Sequence, residues 1–304
     1  MEIAWRLPVD SENWGWNNRA MTEPTTDGAR VWLVTGANSG FGRAIAEAAL
    51  AAGDTVVAAA RRPETLADLT AVAPDRVSPL RLDITERDRI AAAVDEVLAS
   101  HGRVDVLVNN AGRGAIGAAE ETSDEQLRDL MDLHFFGPAA LTRALLPQMR
   151  ERGSGAIVQM SSMGGRFTFP GVGAYSATKF ALEGWSEALA KEVGGFGIRV
   201  LIVEPGAFRT SFNGPGALLV ATPIAAYDDQ IEKLRTGMPD DDGKQPGDPA
   251  KAAAAILNAL ASDDPPLRLA LGTDAVDLIG AVLDDAKAEL AAWEEVGRSV
   301  AFDS

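Results

Sequence analysis

The sequence contains no cysteine. That excludes a disulfide framework, a thiol nucleophile and a cysteine metal site. Only two histidines occur, His101 and His134, too few for a zinc enzyme built on imidazole ligands. Positive charge is scarce: 28 Lys and Arg stand against 44 Asp and Glu, a formal net charge of -16. Such a surface repels phosphate backbones and anionic lipid, so no nucleic-acid or membrane partner is expected; a local basic pocket for one phosphate remains compatible with it. No run approaches the ~20 apolar residues of a membrane span. The first residues also lack the basic start and apolar run of a secretory signal, so a cytoplasmic location is expected.

What is present is a globular composition, 46% hydrophobic and 24% charged over 304 residues, enough for one large α/β domain. Residues 1–28 carry Trp5, Trp14 and Trp16 among Asp, Glu and Asn with no clean period, and read as an extension. The single domain then runs over 29–304.

From Ala29 onward, β-branched runs alternate with Ala/Leu-rich segments. Val31–Thr35, Thr55–Ala60, Val77–Leu82, Val104–Asn109, Ala156–Met160 and Ile198–Val203 read as buried strands, with Leu267–Leu271 a seventh. Arg43–Ala52, Arg87–Ser100, Asp124–Met149, Ala174–Val193 and Ala250–Ala261 have helical spacing, and 274–296 reads as an acidic amphipathic helix. This rhythm predicts a Rossmann-like, doubly wound α/β fold: a parallel sheet with helices on both faces. Gly137-Pro138 predicts a bend just after His134, and Pro147 a disturbed last turn. The Gly-, Pro- and Asp-rich stretch 212–247 reads as a substrate loop or lid.

Strand Val31–Thr35 runs into Thr35-Gly36-Ala37-Asn38-Ser39-Gly40-Phe41-Gly42, and a helix follows. Glycines there permit a tight turn and let a pyrophosphate approach backbone N–H groups at a helix N-terminus. A structural glycine turn is the plainer reading; the strand before it and the helix and strand after it argue for the phosphate site. At the end of the second strand, where an acid would hold the ribose 2′-hydroxyl of NAD, the chain reads Ala60-Arg61-Arg62. Arg61 can instead pair with the 2′-phosphate of NADP, which makes NADP the expected cofactor, with NAD as the alternative.

Ser161-Ser162 ends the fifth strand, and Tyr175-Ser176-Ala177-Thr178-Lys179 opens the next helix. Tyr175 and Lys179, four residues apart, share a helix face. A neighbouring ammonium favours phenolate, so Lys179 is expected to lower the Tyr175 pKa from its usual value near 10. Tyr175 can then exchange a proton with an alcohol or ketone as hydride passes to or from a nicotinamide, with Ser162 hydrogen-bonding the same oxygen. Alone, Tyr-x-x-x-Lys is more often just a helix surface.

In this order, with Asp83 after the third strand, Asn109-Asn110-Ala111-Gly112 after the fourth and Pro205-Gly206 before Thr210, the motifs resemble those of short-chain dehydrogenases/reductases. The subgroup is that with T-G-x-x-x-G-x-G and Y-x-x-x-K. The likeness is close over Ala29–Thr210. It implies sheet order 3-2-1-4-5-6-7 and cofactor contacts from Gly36, Asn38, Ser39, Gly40, Phe41, Gly42, Arg61, Asp83, Ile84, Asn109, Ala111 and Gly112. Asp83 and Asn109 are placed near the adenine end. Lys179 is implied to bind the nicotinamide ribose beside Tyr175, and Pro205, Gly206 and Thr210 to line the nicotinamide side. His134 departs from the pattern, which has an asparagine there holding a water that links the lysine to solvent. A histidine can hold that water and give activity an added pH dependence, or it can be a packed ring with no catalytic part.

The reading that follows is an NADP(H)-dependent alcohol dehydrogenase or carbonyl reductase with Ser162, Tyr175, Lys179 and His134 as catalytic residues and no metal. An NAD-preferring relative and a non-catalytic dinucleotide sensor are the alternatives. A serine hydrolase is excluded, because neither Ser39 nor Ser162 lies in Gly-x-Ser-x-Gly. Met163, Phe167, Phe169 and the stretch 208–219 suggest a lipophilic small-molecule substrate, retinoid- or steroid-like by family resemblance, although such residues also build cores. A homodimer or homotetramer through Asp124–Met149 and Ala174–Val193 is implied by the resemblance, with Ala181, Leu182, Trp185 and Leu189 in the seam or in the helix's own core.

Overall fold

The computed structural model describes residues 28–214 and 216–302; the expected extension lies almost wholly outside the described residues. The order is β1 Val31–Thr35, α1 Gly40–Ala51, β2 Thr55–Ala60, α2 Ala67–Val72, β3 Val77–Arg81, α3 Arg87–His101, β4 Val106–Asn109, β5 Gly114–Ile116, α4 Asp124–Met131 and α5 Gly137–Arg152. Then come β6 Gly155–Met160, α6 Gly173–Val193, β7 Ile198–Pro205, β8 Leu218–Val220, α7 Asp228–Asp240, α8 Pro249–Ala261, β9 Arg268–Leu271, α9 Thr273–Ala292 and α10 Glu294–Arg298.

Seven strands form one parallel sheet in the order β3-β2-β1-β4-β6-β7-β9. With β5 and β8 set aside, this is the expected 3-2-1-4-5-6-7. Every residue of β1 is buried because both faces of the sheet are covered. Successive side chains alternate: Trp32 and Val34 enter the core with Ile45 of α1 and Ile256 of α8, while Val31 and Leu33 face Val94 of α3 and Leu145 of α5. The order reverses at β1, so a crevice opens beyond the carboxyl ends of β1 and β4, where doubly wound folds bind ligands.

Three local expectations change. The bend near His134 is a π-helical turn, Asp132–Phe136, in which the Gly137 N–H reaches back to the Asp132 carbonyl. A Cβ on Gly137 would lie 2.6 Å from the Ile84 carbonyl oxygen. Gly137→Ala should therefore lower stability by about 1–3 kcal/mol, measured by denaturant titration, since neither backbone can yield freely. Helix α5 runs on through Pro147 to Arg152; the bond that proline forgoes would have gone to the exposed position Arg143. The acidic tail helix breaks at Trp293, between α9 and α10.

The stretch 212–247 is more regular than a loop. Leu218–Val220 pairs in parallel with Gly114–Ile116, forming a separate two-stranded ribbon. Helix α7 follows, and its Ile231, Leu234 and Met238 pack with Ile116, Ala118 and Tyr227. Helical spacing of these apolar residues outweighs the local Gly, Pro and Asp content. In α6, Leu182 and Leu189 are buried in the domain's own core, whereas Phe180 and, on the π turn, Phe136 are exposed.

Candidate active site

The turn after β1 puts Gly36 at φ +66° and Gly40 at φ +54°, backbone that favours glycine. A Cβ on Gly42 would strike the Gly36 carbonyl, so α1 can approach the turn only with glycine there. Ser39 makes no side-chain cap and no acid occupies the first turn of α1, which leaves its N-terminal N–H groups aimed at the crevice. The ends of β1 and β4 are tied together. The Thr35 hydroxyl donates to the Val108 carbonyl at 3.2 Å and accepts the N–H groups of Asn110 and Ala111 at 2.9 and 3.0 Å. Asn110 Nδ2 donates to the Thr35 carbonyl at 2.8 Å.

Beyond these ends lies a groove of about 550 Å³. Of the expected cofactor residues, Gly36, Asn38, Ser39, Gly40, Phe41, Arg61, Asp83, Ile84, Ala111, Gly112 and Thr210 line it. Gly42 packs beneath the turn instead. Asn109 does not reach the groove: it is buried, and its amide donates to Thr142 Oγ1 at 3.1 Å and Gln159 Oε1 at 3.0 Å. Asn110, the next residue, takes the lining position. Pro205, Gly206, Tyr175 and Lys179 are also not among the lining residues. Gly206 lies against the Asp274 carboxylate, which accepts the Ala207 N–H at 2.7 Å. Arg61 opens on a second hollow of about 150 Å³ shared with Arg81 and Arg89. The residues therefore fit a dinucleotide: free N–H donors at a helix start, a glycine cradle, and guanidinium groups at the far end.

Ser162 follows β6, and its Oγ accepts the Gly164 N–H at 3.0 Å. A Cβ on Gly164 would sit 3.4 Å from Tyr175 Cε1 and 3.5 Å from Ser162 Oγ, so the glycine allows phenol and hydroxyl to share one end of the site. Phe212, which lines the groove, meets the Tyr175 ring at 5.9 Å. Lys179 Nζ donates to the Met160 carbonyl at 2.8 Å and stands 5.7 Å from the Tyr175 ring centre. Burial pushes the Tyr175 phenol up to about 12 while the Ser162 hydrogen bond pulls it down. This is opposite to the lowering expected from Lys179, whose ammonium is directed to a carbonyl. Lys179 itself is pushed down to about 8 by burial, with Glu183 acting against that.

His134 sits on the π turn with both ring nitrogens engaged. Nε2 accepts the Arg113 N–H at 3.1 Å, so Nδ1 carries the proton and faces Thr178 Oγ1 at 2.9 Å. Thr178 in turn donates to the Tyr175 carbonyl at 2.7 Å. The imidazole is thus a brace between the chain after β4 and the first turn of α6, packed edge-on to Tyr175 at 5.5 Å. Burial first, then the charges of Lys179 and Arg113, hold its pKa well below the usual value, favouring the neutral ring. Both ring nitrogens are taken by protein partners, the arrangement of a packed, bracing ring.

Arg113, Asn110 and Thr178 were not singled out from the sequence. Arg113 and Asn110 line the groove, while Thr178 lies within the Tyr-x-x-x-Lys segment, the one cue that pointed toward it. Among the described residues, no cluster of His, Asp or Glu could hold a metal ion, and no helix is long and apolar enough to cross a membrane.

Residues 30–216 match the short chain dehydrogenase family model. The chain belongs to the short-chain dehydrogenase/reductase family, and is an oxidoreductase of that class. It is 36% identical over 268 residues to oxidoreductase BOA17 of Botryotinia fuckeliana, covering 88% of this chain and 97% of that one. It is 35% identical over 245 residues to a 3-ketodihydrosphingosine reductase of Bacteroides thetaiotaomicron, covering 80% and 88%. A short-chain dehydrogenase of Streptomyces avermitilis superposes with a TM-score of 0.86 at 59% identity, covering 90% of this chain and 100% of that one. More distant solved relatives hold either cofactor. A Burkholderia cenocepacia dehydrogenase is in complex with NADP (26% identity, TM-score 0.66, covering 87% and 97%). A Brucella melitensis 3-ketoacyl-(acyl-carrier-protein) reductase is in complex with NADH (27%, TM-score 0.67, covering 80% and 96%).

Proposed function

We propose that the protein is an NADP(H)-dependent carbonyl reductase acting on a lipophilic ketone, with Tyr175 as proton donor. The observation that carries the reading is the convergence of Ser162 and Tyr175 on Gly164, next to Phe212, which lines a groove suited to a dinucleotide. A bound nicotinamide supplies the hydride. Tyr175 gives its proton to the carbonyl oxygen; a phenol held near 12 keeps that proton at neutral pH, which suits reduction. Ser162 hydrogen-bonds the same oxygen, and Lys179 contributes positive charge beside the phenol. His134 positions Tyr175 through Thr178. A ketone with a long apolar body suits Phe212 and Leu218, which roof Gly114, and agrees with the 3-ketodihydrosphingosine reductase among the relatives. Exposed Phe136 on the π turn and Phe180 on α6 support self-association through this face.

Preference for NADP rests on Arg61 and on the lack of an acid at the end of β2; Arg81 and Arg89 share its hollow with Asp83, Glu86 and Glu96. A charge-assisted bond to the 2′-phosphate is worth roughly 1.5–3 kcal/mol. Arg61→Ala should weaken NADPH binding by about 10- to 100-fold and leave NADH binding nearly unchanged, read by calorimetry. Tighter binding of NADH than NADPH to the unmodified protein would overturn the preference. Turnover of long-chain ketones with NADPH tests the activity itself.

A further inference from the structure

The turn that carries Ser162 is tied to the sheet by an ion cluster that takes no part in the reaction described above. After β6 the chain makes one 3₁₀ turn, Met163–Gly165. Its own hydrogen bonds are local: the Gly165 N–H donates to the Ser162 carbonyl at 2.9 Å, the Arg166 N–H to the Met163 carbonyl at 3.0 Å, and the Gly164 N–H to Ser162 Oγ. Bonds of this kind shape the turn and leave its seat on the sheet to other contacts. Gly165 rests on Ser161 and on Glu183 of α6, where a Cβ would lie 2.6 Å from Ser161 Oγ and 3.0 Å from Glu183 Cγ. At the far end of the turn, Arg166 Nη1 donates to Glu204 Oε1 of β7 at 2.9 Å. Arg268 of β9 stands 3.5 Å from that same oxygen, and also meets Glu183 at 3.0 Å and Glu187 at 2.8 Å. Lys191 pairs with Glu187 at 3.0 Å, so three carboxylates meet three cations.

The Glu204 side chain is 2% exposed and that of Arg166 22%. A pair buried to this degree adds little net stability, because desolvation offsets the attraction; what it supplies is one fixed direction for the guanidinium. Resting on the carbonyl-reductase reading of the site, we propose that Arg166 is a positioning residue for Ser162: its ion pair with Glu204, which Arg268 holds in turn, seats the Met163–Gly165 turn and so aims the Ser162 hydroxyl at the carbonyl oxygen of the substrate. A contact joins each step, from Glu204 to the Arg166 side chain, from the Arg166 N–H to Met163, and from Ser162 to the N–H groups of Gly164 and Gly165. Tyr175 and Lys179 stand on α6 instead, and none of Arg166, Glu204 and Arg268 lines the cofactor groove. Loss of the anchor therefore acts on the chemical step and spares cofactor binding.

The test uses Arg166→Met in the full chain, a change that leaves Glu204 its second cation, Arg268. With NADPH and methyl nonyl ketone, kcat should fall about 10- to 100-fold, as a displaced hydroxyl demands, with NADPH affinity by calorimetry unchanged. The same substitution placed on Ser162→Ala should lower kcat little further, since the group it aims is already gone. The activity-free readout is amide hydrogen exchange at Gly164 and Gly165, which should quicken at least about tenfold in Arg166→Met. Exchange at the unmodified rate overturns the anchor, and so do equal losses of kcat with and without the Ser162 hydroxyl. A loss of NADPH affinity in step with kcat overturns it as well. If the unmodified protein reduces no long-chain ketone with either cofactor, the activity reading fails on its own evidence, and the exchange rates alone decide whether Arg166 seats the turn. Should Arg166→Met not fold, Arg166→Gln carries every readout.

Discussion

Tyr175→Phe should lower ketone reduction by about 10²- to 10⁴-fold while the protein stays folded and binds cofactor as before. Phenylalanine keeps the ring contacts with His134 and Phe212, both edge-on, and removes only the hydroxyl. The lost interaction with Ser162 is local, so the melting temperature should change by no more than a few degrees. Losses of kcat and kcat/KM by similar factors would mark an interaction made in the transition state. Retention of more than a tenth of the activity would remove Tyr175 from the mechanism. The variant also changes how stability depends on pH, since the phenol titrates between its unfolded value of 10 and its folded value of about 12. There the folded protein holds more protons than the unfolded chain, so stability falls as pH rises through that window. That fall should vanish in Tyr175→Phe.

The largest expected effect on structure is at Glu121. Its side chain is fully buried after β5, where it accepts the N–H groups of Ala118 and Ile224, each at 2.7 Å, and pairs with Arg235 of α7. Arg235 keeps Asp228 at 2.9 Å and Glu232 at 3.3 Å, both partly exposed. Glu121→Ala leaves the Ala118 and Ile224 N–H groups without their acceptor and takes from Arg235 the one partner that ties α7 to the chain after β5. Because Ile224 and Arg235 belong to the segment over the substrate side, that loss should appear first as opening of 218–240. Limited proteolysis there should accelerate by at least about 100-fold, and KM for a long ketone should rise more than kcat falls. Cleavage at the unmodified rate would show that the ion pair does not hold the segment. Burial alone would raise the Glu121 carboxyl, but the two N–H groups and Arg235 bring it below the usual carboxylate value. The latch is therefore complete above the unfolded value near 4.5 and is lost as pH falls through the lower folded value.

The sheet was legible because burial on both faces writes each strand as a nearly unbroken apolar run, and Val31–Thr35 begins and ends in the structure where the run does. The glycine turn and the Tyr175–Lys179 pair were equally plain, since each is written by spacing within one short segment. Asn109 and Asn110 show where such reading stops. Successive side chains at a strand end point to opposite faces, and only the register, not the residue type, decides which asparagine reaches the groove. Contacts distant in sequence were opaque for a different reason. Glu121 and Arg235 are 114 residues apart, and neither has a local pattern that names the other. The same holds for His134 and Thr178, 44 residues apart, whose hydrogen bond fixes the tautomer that the sequence left open.

The ribbon of β5 and β8 leaves little play in how the substrate side is closed. Gly114 opposes Leu218, whose Cδ1 would lie 2.6 Å from a Cβ at Gly114, and a Cβ at Gly117 would lie 2.6 Å from the Ala221 Cβ. Backbone pairing on one side and missing side chains on the other fix the height of the roof at that end. An insertion before Leu218 would turn each side chain of β8 to the opposite face rather than raise the roof. Relatives that accept bulkier substrates on this scaffold would then have to gain room along α7, by changing its inward side chains, and lineages differing in the length of the connecting turn should differ in which end of a molecule they tolerate.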